Sequence, residues 1–189
     1  MMTVKNITGK KVAILATDGF EQSELFEPRK ALLEAGAEVD VVSLEQGDIT
    51  GWQGKNWGDS IKVDKTLDEV KPEQYHALML PGGLINPDLL RVNEQAVQFV
   101  KGFFAGDKQK PVGAICHGPW LLAEADVVKD RKVTSYASIQ TDLKNAGANW
   151  TDAEVVVDKG LVTSRKPDDL NAFNRKLVEE IAEGQHKAA

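Results

Sequence analysis

The stretch Pro111-Val112-Gly113-Ala114-Ile115-Cys116-His117-Gly118-Pro119 changes character at its middle. Residues 111–116 read as a short apolar strand. Gly118-Pro119 then opens a helix carrying Trp120, Leu121 and Leu122, with proline at a position the first turn tolerates. Working outward, residues 11–16 (KVAILA) form another β-rich run, closed by Thr17-Asp18-Gly19. Leu25, Phe26, Leu32 and Leu33 recur at helical spacing over residues 23–35, and Gly36 supplies the stop. With a strand at 39–42 this makes a β-α-β unit, which favours a parallel sheet and a right-handed crossover. Residues 77–80 (ALML), cut off by Pro81-Gly82-Gly83, are a further buried strand, and residues 89–104 read as one helix. Residues 139–146 look helical, 155–157 and 161–163 flank a hairpin turn, and 168–183 form a terminal amphipathic helix. Residues 47–58, with four glycines and two tryptophans, read as an irregular excursion or hairpin, and Ile61 and Val63 as a short edge strand. Alternating strands and helices predict an α/β sandwich with a mostly parallel sheet. One domain is expected over residues 1–189, with 1–9 and 184–189 as flexible ends.

Composition narrows the function. Of 189 residues, 23 are basic and 29 acidic, and a net charge of −6 argues against nucleic acid or an anionic membrane as partner. No apolar run approaches the ~18 residues of a membrane span, and the first residues carry no signal-peptide core, so a cytoplasmic protein is expected. One cysteine excludes an intramolecular disulfide framework and a cysteine-rich metal knuckle. His76, His117 and His186 do not stand at zinc-site spacing, so neither metal nor cofactor is expected.

Cys116 is the sharpest chemical feature. A strand that hands over to a helix within three residues lifts a side chain clear of the sheet at its carboxyl edge, where open α/β folds bind ligands. The helix N-terminus favours thiolate over thiol. Gly82 and Gly83 end another strand, where backbone N–H groups can approach a substrate as an oxyanion hole requires, and the N–H of His117 is a second donor. His117 adjoins Cys116, and in a sharp elbow the two side chains diverge. Its imidazole serves on a substrate proton only if an acid orients it. Glu21 and Glu24 follow the first strand and reach the same edge, either as partners of the sulfur or as helix N-terminal acids complementing the macrodipole. Trp52 and Trp57, on a projection too glycine-rich to bury them, read as interface anchors of an assembly of at least two copies.

The ordered motifs D-G-F-E-Q-S-E-L, G-x-I-T-G at 47–51, I-K-V-D at 61–64, A-L-M-L-P-G-G, A-I-C-H-G-P, N-A-G-A near Asn145, D-A-E-V-V-V-D at 152–158 and T-S-R at 163–165 span almost the whole chain. Together they resemble the PfpI family of the class I glutamine amidotransferase-like superfamily. The resemblance implies a flavodoxin-like three-layer sandwich with helices on both faces of the sheet. It implies Cys116 as nucleophile with His117 beside it, Glu24 as the acid contacting the thiol, and Gly83 and His117 as oxyanion donors. In PfpI-type proteases the histidine is oriented by a glutamate from a neighbouring subunit of a hexameric ring, and Asp88 occupies the matching position here. Two departures stand out: the acid is one methylene shorter, and the loop Leu84-Ile85-Asn86 is one residue longer. The implied activity is that of a stress-protective cysteine hydrolase, peptidase-like or deglycase/glyoxalase-like, acting on peptides or aldehyde-modified substrates as a dimer or hexamer. The alternatives are a redox-sensing protein or holdase chaperone whose cysteine is oxidised reversibly, and a binding module that keeps the pocket without turnover.

Overall fold

The computed structural model describes residues 5–187. In chain order its elements are β1 (Lys11–Leu15), α1 (Gln22–Glu34), β2 (Glu38–Ser43), β3 (Asp48–Gln53), β4 (Asn56–Lys62), β5 (Lys65–Thr66) and β6 (Ala77–Leu80). There follow α2 (Ile85–Arg91), α3 (Glu94–Gly102), β7 (Lys108–Gln109), β8 (Val112–Ile115), α4 (Pro119–Glu124) and β9 (Lys132–Val133). The chain ends with α5 (Gln140–Asn145), β10 (Asn149–Trp150), β11 (Val155–Asp158), β12 (Leu161–Ser164), α6 (Leu170–Glu183) and β13 (His186–Lys187).

Seven strands form one sheet in the order β11-β12-β8-β6-β1-β2-β5, parallel except at the edge pair β11–β12. Along β1 the side chains alternate between two cores. Ala13 and Leu15 pack with Leu90, Phe99 and Leu121 of α2, α3 and α4, while Val12 and Ile14 pack with Leu25 of α1 and Phe173 of α6. The sheet is therefore the middle of three layers, which is why β1, β6 and β8 read as unbroken apolar runs. Because β1, β6, β8 and β12 run parallel, Thr17, Pro81, Cys116 and Arg165 emerge at one edge.

Four expectations are corrected. Residues 89–104 are two helices, because Asn93 is extended (φ −92°, ψ 111°) and its side chain accepts the Ala96 N–H at 2.9 Å, starting α3 afresh. Ile61 belongs to the β3–β4 hairpin, which pairs Trp52 with Trp57, and Val63 lies beyond it. The tail from residue 184 does not fray as far as 187: β13 pairs antiparallel with β7. At the other end Ile7 is buried and its N–H donates to Ala35 O at 2.9 Å. Residues 1–4 and 188–189 of those expected flexible ends lie outside the described residues.

Candidate active site

Cys116 follows β8 with φ 62°, the left-handed region that a residue with a side chain enters at a cost of about 1 kcal/mol or more. Three backbone bonds fix the turn: Cys116 N–H donates to Ser164 O (3.0 Å), Tyr136 N–H to Cys116 O (2.9 Å) and Gly118 N–H to Ile115 O (2.8 Å). The side chains of Cys116 and His117 do not diverge as expected for a sharp elbow. Sγ lies 3.2 Å from His117 Nδ1, and on the far side of the ring Nε2 lies 3.2 Å from Ser138 Oγ. Tyr136 stacks on the imidazole at 4.8 Å and Trp120 meets it edge-on at 5.0 Å. Burial pushes the His117 pKa down, so the ring is neutral at neutral pH and one of its nitrogens is free to accept a proton.

Glu24 sits in the first turn of α1, fully buried, with Oε2 accepting the Gly82 N–H at 3.0 Å. Its Oε1 is buried with no aligned hydrogen-bond partner, and the carboxyl stands against the Cys116 thiol. Gly82 lets them meet: a Cβ there would collide with Glu24 Oε2 and lie 2.6 Å from Cys116 Cβ. Gly83 has φ 82°, and a Cβ on it would press into the 19–21 backbone. Its N–H and that of His117 both hydrogen-bond the sulfur.

Burial first, and the charge of Glu21 second, push the Glu24 carboxyl up to about 8. Burial also pushes the Cys116 thiol up, reinforced by Glu24 once that carboxyl ionises, while the Gly83 and His117 N–H groups draw it down. The expected preference of the helix N-terminus for thiolate thus meets a larger opposing effect. A thiolate here requires Glu24 to be protonated, since two adjacent buried charges repel.

The structure brings Cys116, His117, Glu24 and the Gly83 N–H together, and leaves Glu21 half-buried at the N-cap of α1. Asp88 is exposed on α2, with no hydrogen bond or ion pair among the described residues. His76, whose Nδ1 accepts the Lys11 N–H at 2.9 Å, and His186 lie at the opposite edge of the sheet. Two residues escaped sequence reasoning. Ser138 is 21 positions from the histidine it faces. Asn86, fully buried, accepts the Thr17 N–H (2.7 Å) and donates to Pro81 O (3.1 Å) and Gly82 O (3.2 Å), tying the end of β1 to the glycine turn. An Asn-Pro pair opening a short helix was its only signal.

The chain is similar to known proteins over most of its length. Residues 10–180 match the DJ-1/PfpI family. The chain is 49% identical over 170 residues to protein/nucleic acid deglycase 2 of Escherichia coli strain K12, covering 89% of this chain and 96% of that protein. It is 48% identical over 171 residues to general stress protein 18 of Bacillus subtilis strain 168, covering 90% and 96%. Among solved structures, a two-domain protein of Anabaena variabilis with DJ-1/ThiJ/PfpI-like and ferritin-like domains superposes with a TM-score of 0.83 at 36% identity. That match covers 91% of this chain and 48% of the other.

Proposed function

The chain belongs to the DJ-1/PfpI family, and on that premise we propose that it is a cytoplasmic, stress-protective hydrolase in which Cys116 attacks amines carrying reactive-aldehyde adducts. The observation that carries the reading is the 3.2 Å approach of Cys116 Sγ to His117 Nδ1 beside the buried Glu24 carboxyl. His117 Nδ1 takes the thiol proton, and the sulfur bonds to the aldehyde-derived carbinol carbon of the adduct as the carbon–nitrogen bond to the amine breaks, which leaves a hemithioacetal on Cys116. The N–H groups of Gly83 and His117, which meet the sulfur at rest, hold the developing oxyanion. The proton on Nδ1 leaves with the amine, a proton shift from the carbinol carbon to the adjacent carbonyl carbon turns the hemithioacetal into a 2-hydroxyacyl thioester, and water releases the hydroxy acid and returns the thiol. A peptide carbonyl offers the same groups an acyl carbon whose tetrahedral intermediate expels the amine directly, so peptidase action is the related activity.

The test is turnover of methylglyoxal-modified peptide and of denatured casein by wild type and Cys116→Ala in parallel. Release of free amine from the modified peptide, abolished in Cys116→Ala, is expected. Equal rates for the two proteins would sink the proposal. Reversible thiol oxidation without turnover of either substrate would favour the redox-sensor reading instead.

We further propose that the working form is a homo-oligomer, of two copies or a closed ring of six. Trp52 and Trp57 meet edge-on at 5.4 Å, yet Trp57 stays exposed, as do Leu84, Leu89 and Val92 around Asp88 on α2. A second copy covering this apolar face would bring Asp88 towards a neighbouring His117. Light scattering at micromolar concentration decides the matter, and the mass of one chain would refute it.

A further inference from the structure

We propose that Glu180, Glu183 and His186 form a binding site for a divalent transition-metal ion of the zinc type. The three residues come from the last turns of α6 and from β13, and one ligand atom of each lies within 4.8 Å of the other two. Glu180 and Glu183 are three residues apart on one helical face. Gly184 ends α6 with φ 88° and lets the chain turn back, and pairing of His186 with Gln109 returns the imidazole over that face. The ring packs so closely on Gly160 that a Cβ there would lie 2.7 Å from Cδ2.

The second observation is the state of the imidazole nitrogen. His186 Nε2 is buried from solvent and has no aligned hydrogen-bond partner, although Glu180 Oε2 lies only 3.1 Å away. The two meet as an imidazole–carboxylate pair without hydrogen-bond alignment, and the same separation suits neighbours on one ion. Two ligands at ~2.0–2.1 Å from a tetrahedral zinc stand about 3.3 Å apart. An imidazole with two carboxylates favours zinc and its transition-metal neighbours over magnesium or calcium, which take oxygen ligands.

The surroundings suit a cation. The site lies at the C-terminal, negative end of the 14-residue helix α6. Glu180 also accepts the Gly160 N–H, which orients its carboxylate, and among the described residues Glu183 has the exposed Lys5 ammonium at 3.5 Å as counter-charge. Three protein ligands leave a fourth position for water. A bound ion would clamp the end of α6 to β13 and, through β13, to β7. This is the amino-terminal edge of the sheet, across the length of β8 from Cys116.

The experiment uses Cys116→Ser protein stripped with EDTA, so that the thiol cannot bind metal itself, titrated with ZnCl2 by calorimetry and followed by thermal melting. One saturable site per chain, with a dissociation constant in the micromolar range or below and a melting point raised by ~2 °C or more, is expected. His186→Ala and, separately, Glu183→Gln should weaken binding at least ~10-fold. Circular dichroism confirms folding, and Glu183→Gln, altering an exposed side chain, stands in if His186→Ala is unstable. Absence of saturable zinc binding, or unchanged affinity in both variants, overturns the proposal.

Discussion

Cys116 Sγ and Nδ1 of His117, its immediate neighbour in the chain, stand 3.2 Å apart. Adjacent side chains seldom meet, and the left-handed turn at Cys116 is what folds these two toward each other. The strained turn is therefore what sets the thiol beside the imidazole.

It follows that Cys116→Gly is more stable than Cys116→Ala by about 1 kcal/mol, because glycine adopts φ 62° freely and alanine does not. Chemical denaturation of the two variants measures the difference. Alanine equal to or better than glycine would show that the turn carries no strain.

Glu24 sets a pH dependence of stability. Its carboxyl titrates near the ordinary 4.5 when unfolded and near 8 when folded, so the native state binds the proton more tightly. The stabilisation is complete below pH 4.5 and declines as pH rises toward 8, by at most roughly 1.4 kcal/mol per unit. Glu24→Gln removes the dependence, so its stability relative to wild type should climb between pH 5 and 8. Glu21→Gln, at a half-buried site, should show a much smaller trend. Parallel slopes for wild type and Glu24→Gln would contradict this.

The sheet edge that carries the candidate site is legible in the sequence where chemistry and local structure coincide. Cys116 marks the end of an apolar strand, and Pro81-Gly82-Gly83 punctuates another. Contacts made by chain return were not legible. Nothing within a helical window links Ser138 to His117 or Glu180 to His186. The break at Asn93 escaped because apolar residues keep helical spacing on both sides of it, and only its cap bond to Ala96 decides the matter. Glu24 and Glu21 could not be ranked from residues alone: which of two first-turn acids is buried depends on where α1 meets the sheet.

Ser138→Ala should lower kcat about fivefold with little change in KM, the effect of losing one hydrogen bond worth about 1 kcal/mol that holds the His117 ring. The acidic limb of the pH–rate profile should move, because Nε2 then faces water. An unchanged profile with raised KM would assign Ser138 to substrate binding instead.

Asn86→Leu should destabilise the fold by about 2–4 kcal/mol. It strips the Thr17 N–H and the Pro81 and Gly82 carbonyls of buried partners while keeping the volume. Urea denaturation, paired with alkylation kinetics of Cys116, checks both the loss and the loosening of the Gly82 turn. A loss under 1 kcal/mol would mean that water replaces the amide.

The β3–β4 hairpin has a mechanical consequence. It is stitched to the loop after β1 by Gly19 N–H to Thr50 O (2.8 Å), Trp52 N–H to Phe20 O (2.7 Å) and Thr50 N–H to Asp18 Oδ1 (2.7 Å). In the same loop, Glu21 N–H reaches Gly82 O at 3.3 Å. The projection is thus a lever whose fulcrum is the Gly82-Gly83 turn beside Cys116. Whatever grips its tip at Gly54 and Lys55, whether a neighbouring molecule or a fused domain, pulls on the turn that keeps Glu24 against the thiol.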